Sequence, residues 1–124
     1  MSQAALAVLD RSGRGASREA VLIRNTYATA LFRADRYAEA LPEIDRTIVD
    51  WQRVAPDGKV RHVMMLVLKA QVQQALKRDD AARKTAEEAI ALNAPVAELA
   101  PRTKLLLREL SGRADIYPEV AGTP

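Results

Sequence analysis

The sequence predicts an all-α chain of stacked antiparallel helical hairpins, and three observations predict it. Arg33 to Ile48 (RADRYAEALPEIDRTI) sets a short polar break between two amphipathic segments, and the same plan recurs, blurred, from Ala75 to Ile90 (ALKRDDAARKTAEEAI). Ala28 and Ala70, Ala40 and Ala82, and Ile48 and Ile90 are each 42 residues apart, and Asp45 and Glu87 keep the same offset with like charge. Between the breaks, apolar residues recur in steps of three and four, the period of one helical face.

Taken in order, Gln3 to Asp10 is an Ala- and Leu-rich segment of about two turns, too short to stand as an isolated helix. A Gly- and Arg-containing connector follows and ends on Ser17, placed as an N-cap. From Ser17 to Arg33 the stripe is Ala20, Ile23, Tyr27, Ala28 and Leu31, with Leu22 and Phe32 off it. Asp35 is the expected cap of a second helix reaching about Val54, with Tyr37, Ala40, Leu41, Ile44, Ile48 and Trp51 inside and Pro42 bending it rather than breaking it. The Pro56 and Asp57-Gly58 turn closes this hairpin. Val60 to Lys77 repeats the first helix through Val63, Leu66, Val67, Ala70 and Leu76. Asp79 or Asp80 is the expected cap of its partner, which buries Ala82, Ala86, Ala89 and Ile90 and ends at Leu92 before Asn93 to Pro95. A last helix, Val96 to Leu110, becomes regular near Ala100 because of Pro101, and Gly112 closes it. The expected organisation is a repeat domain over 1–112, with hairpins at about 17–54 and 60–92 and flanking helices at 3–10 and 96–110. A C-terminal tail, 113–124, follows.

Composition narrows the function classes. A chain of 124 residues that is 48% hydrophobic can bury about two thirds of its unfolded surface as one domain. It has no cysteine, which removes disulfides and thiolate metal sites. A formal charge of +3 comes from scattered arginine rather than a dense basic face, and no apolar run reaches membrane-spanning length, so the expectation is a soluble, cytoplasmic protein. His62 is the single histidine, so neither a triad with a second candidate base nor a multi-histidine metal centre can be assembled. Asp79-Asp80 and Glu87-Glu88 are neighbours on a helix and point about 100° apart, so they read as solvated faces or caps rather than a carboxylate pair. Gly13-Arg14-Gly15 lacks the lysine and spacing of a phosphate loop. No enzyme, cofactor or metal site is expected. Arg11, Arg14, Arg18 and Arg24 could meet an acidic partner or nucleic acid, but a solvated connector is the simpler reading.

The segment NTYATALFRADRYAEALPEIDRTI resembles a tetratricopeptide repeat (TPR), with Ala28, Tyr37, Ala40 and Ile44 in the places where that pattern wants small, aromatic, small and large apolar residues. The 42-residue spacing is similar to the longer repeat variant of kinesin light chains and many bacterial regulatory proteins. Arg24, Lys69, Thr47 and Asp79 depart from the pattern. The resemblance implies a right-handed TPR-like superhelix of about 5–6 helices, serving as a non-catalytic protein-protein interaction scaffold within a larger bacterial regulatory or signalling protein. It further implies that the first helix of each hairpin lines a concave groove, falling here on Leu22, Asn25, Thr29, Phe32, Arg33, Met64, Val67, Gln71 and Gln74. A protein or peptide partner is expected there, anchored by Phe32 and Met64. The competing readings are a self-associating homo-oligomer and, third, a nucleic-acid-binding accessory domain; no membrane partner is expected.

Overall fold

The computed structural model describes residues 17–121, and over that range the chain is all-α with no strand. Five α-helices follow in order: α1 (Arg18–Arg33), α2 (Tyr37–Val54), α3 (Lys59–Ala75), α4 (Asp79–Ala91) and α5 (Pro101–Ser111), with 3-10 turns at Val96–Glu98 and Pro118–Val120. They divide into two compact units, Met1–Gly58 and Lys59–Pro124. The expected helix over Gln3 to Asp10 lies outside the described residues.

In the first unit α1 packs against α2. Ser17 caps α1 as its sequence suggests, its hydroxyl oxygen accepting the Ala20 N–H at 3.1 Å. Buried Ala20, Val21, Ala28 and Leu31 of α1 share this core with Ala40, Ile44, Ile48 and Trp51 of α2, while the expected Ile23, Tyr27, Tyr37 and Leu41 are half-buried. Helix α2 runs unbroken through Pro42. The ring sits in the second turn and removes one backbone bond, a loss that the buried face downstream outweighs. Beyond α2, the Trp51 indole N–H donates to the Gly58 carbonyl at 2.9 Å, and the Arg18 guanidinium lies 5.6 Å from the indole ring centre. A Cβ on Gly58 would come within 2.6 Å of Trp51, so the residue is glycine for want of space.

The second unit packs α3 on α4 and both on α5. Its core is Val63, Met65, Leu66, Val67, Ala70 and Val72 with Ala82, Ala86, Ala89, Leu107 and Leu110; Leu76 and Ile90, expected inside, are half-buried. The regular last helix starts at Pro101 because the missing proline N–H costs nothing at a first helical position, and Gly112 ends it in the left-handed conformation (φ 71°). The preceding Val96–Glu98 turns as a separate 3-10 piece instead of joining α5.

Both hairpin turns differ from the expectation in the same way. Asp35 does not cap α2, and neither Asp79 nor Asp80 caps α4: the cap positions are Arg36 and Arg78, neither with a side-chain cap bond. Each preceding helix instead ends in a Schellman motif. The Arg36 N–H donates to Leu31 O and Asp35 N–H to Phe32 O, and the Arg78 N–H donates to Gln73 O and Lys77 N–H to Gln74 O. Asp35 and Lys77 supply the left-handed residue these motifs need, at φ 59° and 65°. Asp79 and Asp80 lie in the first turn of α4, where a carboxylate favours the helix through its dipole.

Polar groups enter both cores with partners. Arg24 is 4% exposed and its guanidinium meets Glu43 at 3.3 Å. Thr47 donates to the Glu43 carbonyl at 2.7 Å, and the Thr85 hydroxyl donates to Gln73 Oε1 at 2.6 Å. These bonds explain how positions that depart from the apolar pattern stay inside.

Candidate interaction surfaces

Asn25, Thr29 and Arg33 stand at four-residue intervals on α1, which stacks them along one row of the helix. They line a shallow depression of about 610 Å³ together with Thr26, Ala30 and Ala34. The Thr29 hydroxyl donates to Asn25 O at 2.9 Å and that of Thr26 to Leu22 O at 3.0 Å. Each hydroxyl thereby spends its proton on its own helix and keeps oxygen lone pairs for an incoming donor. The Asn25 side chain supplies both a donor and an acceptor, and exposed Arg33 puts a positive charge at the end of the row. A wall of amide, hydroxyl and guanidinium groups with small alanines between them suits an extended backbone more than a compact anion.

Of the other expected groove residues in this unit, Leu22 and Phe32 are half-buried and do not line the depression. The Phe32 ring packs on Tyr37 across the turn, centroids 5.9 Å apart and tilted by 55°. Tyr37 in turn donates its hydroxyl to Asp35 at 2.7 Å, a bond that raises the phenol pKa. In the second unit Met64 is 51% exposed, Gln74 is exposed and Gln71 half-buried. Val67 is a correction: at 5% exposure it belongs to the core, because it lies on the same helical row as Val63 and Ala70.

Among the described residues no set of three or more His, Asp or Glu side chains could hold a metal ion, and no described helix is long and apolar enough to cross a membrane. Burial lowers the pKa of His62, with Glu88 pulling weakly the other way. Arg18 is engaged by Trp51 and Arg24 by Glu43, whereas Arg11 and Arg14 lie outside the described residues.

The sequence left the tail after α5 either lying along the last helix or loose, with little to bury beyond Ile116, Tyr117 and Val120; the structure lays it along the helix and adds polar contacts that were not foreseen. Residues 113–121 form a strap. Lys104 of α5, buried, meets Glu119 at 2.9 Å; Arg108 donates to the carbonyls of Ala114 and Ile116; Arg113 meets Asp115 at 2.9 Å and Glu87 at 3.2 Å. Each partner pair is too far apart in sequence, or too ordinary in composition, to leave a periodic signal; the apolar Ile116, Tyr117 and Val120 were the available hint.

No protein-family model matches this chain, and no curated protein or solved structure matches it significantly.

Proposed function

We propose that this chain is a non-catalytic interaction module that holds an extended peptide segment along α1, and that it is a TPR-like repeat protein working in the cytoplasm as part of a larger bacterial regulatory assembly. The observation that carries the binding reading is the row of Asn25, Thr29 and Arg33 over one depression, polar yet uncharged except at its end. Peptide backbone presents alternating donors and acceptors, and the row offers both kinds at the pitch of a helix turn. The repeat reading is supported by two Schellman turns at a 42-residue offset, each preceded by a helix with a fully buried alanine, Ala28 or Ala70, and followed by one with Ala40 or Ala82. Small residues at these points let paired helices approach closely.

A peptide pool titrated into the isotope-labelled chain tests it. Binding should move the Asn25 side-chain amide and the backbone amides of Thr29 and Arg33, and Asn25→Ala should weaken it about tenfold with no change in melting temperature. Shifts confined to the exposed face of α2, around Asp45 and Val49, would overturn the assignment of the surface.

A further inference from the structure

Lys104 is buried, 9% exposed, on a helix whose neighbours are Leu107 and Ser111, and its ammonium group meets a carboxylate that does not belong to any helix of the core. A buried ammonium without an acceptor is costly, so α5 carries a standing demand for an anion at this point. Glu119 meets it. The next residue, Val120, is 6% exposed and the Pro118–Val120 turn packs on α5. Charge and apolar side chain thus seat side by side, in the manner of a short bound peptide.

Two further features describe how this segment is held. Tyr117, immediately before the turn, has φ 46° and ψ 58°, a left-handed conformation unfavourable for a bulky side chain, so docking is opposed by backbone strain. Beside the turn, a cavity of about 330 Å³ remains between Ile90, Asn93, Ala94 and Val96 on one side and Ile116 and Tyr117 on the other. The chain's own segment therefore leaves its cleft partly empty.

We propose that this seat on α5 is an acceptor site for a peptide carrying a carboxylate followed by an apolar residue, and that the chain's own Glu119-Val120 occupies it in competition. A partner segment without strain two residues before the carboxylate, and with larger apolar side chains in the places of Ile116 and Tyr117 beside the cavity, displaces the strap. The site is separate from the α1 row and stands whether or not that row binds peptide.

The test uses the full chain with its strap released, Glu119→Lys with Val120→Asp, and a synthetic peptide of the strap sequence RADIYPEVA. The peptide should bind the released variant saturably and shift the amides of Lys104, Ile90 and Asn93. A peptide with its glutamate replaced by lysine should bind roughly tenfold or more weakly, as should the wild-type chain, which presents its own competitor. A folded variant that binds neither peptide, or binds both equally, would overturn the proposal. Should the variant not fold, excess peptide added to the wild-type chain decides: the Val120 amide moves toward its unfolded position if the seat is contested and stays in place if it is not. Strap exchange between two copies, read as a dimer by sedimentation, would assign the seat to self-association and overturn the peptide reading.

Discussion

Asp35 and Lys77 occupy the same backbone position 42 residues apart, both left-handed, at φ 59° and 65°. The turn of each hairpin is thus conserved in geometry within the molecule although the residue that makes it is not. Aspartate visits this region with little cost, whereas lysine has no local hydrogen bond to offset the clash of its Cβ. Lys77→Gly should therefore stabilise the chain by about 0.5–1 kcal/mol, relief of strain exceeding glycine's extra unfolded-state entropy. Asp35→Gly should gain less, because it also loses the acceptor for the Tyr37 hydroxyl. Chemical denaturation of the two variants measures the difference, and equal gains would contradict it.

Ala40 is fully buried in the first hairpin and Ala38 on the same helix is exposed. Ala40→Leu should overpack the α1–α2 crossing at a cost of about 1–3 kcal/mol, and Ala38→Leu should stay within about 0.5 kcal/mol of the parent. Thermal melts that rank the two alike would put the crossing elsewhere.

Glu43 is the acidic partner of buried Arg24. Glu43→Ala should cost about 1–3 kcal/mol, below the range for breaking a fully buried pair because Glu43 keeps part of its surface in water. Replacing both, Arg24→Met with Glu43→Met, should recover most of the loss. A double variant no better than Glu43→Ala would show that the guanidinium matters through its packing.

The strap should loosen in acid. The Lys104 ammonium holds Glu119 below the usual carboxylate range, and Arg113 does the same to Asp115. A carboxylate whose folded pKa is depressed stabilises the fold above its unfolded pKa, and that contribution is lost as pH falls through the folded value. Arg108 also faces both carboxylates, and Glu87 of α4 is a second acidic partner of Arg113. The protection factor of the Val120 amide, relative to intrinsic exchange at each pH, should accordingly fall as pH drops below about 4, and the fall should be smaller in Glu119→Gln. Protection that is flat across that window would remove the ion pair from the account of how the strap is held.

Helix positions were legible because they are written in local chemistry: Ser17 before a stripe, Pro101 at a first turn, Gly112 at an end. The turns were misread for the same reason. An aspartate before a helix has the signature of a cap, and nothing in lysine announces a left-handed residue, so Asp35 and Lys77 are matched only by their carbonyl partners. Buried Arg24, Thr47 and Thr85 escaped a period that counts apolar side chains. Of the candidate site, the Asn25, Thr29 and Arg33 row was visible as residues off the stripe, but Val67 satisfied both the stripe and the groove, and packing decides between them. The Lys104–Glu119 seat joins a helix to a tail and had no periodic trace.

Trp51 is the single tryptophan of the chain, buried between an arginine and a glycine carbonyl in the Met1–Gly58 unit. The molecule therefore carries a tryptophan probe in the Met1–Gly58 unit and none in Lys59–Pro124. Tryptophan emission during unfolding follows the first unit, while far-ultraviolet ellipticity sums the helices of both. Coincident midpoints would mean that the two units melt as one cooperative block; an earlier emission change would mean that the first unit frays alone.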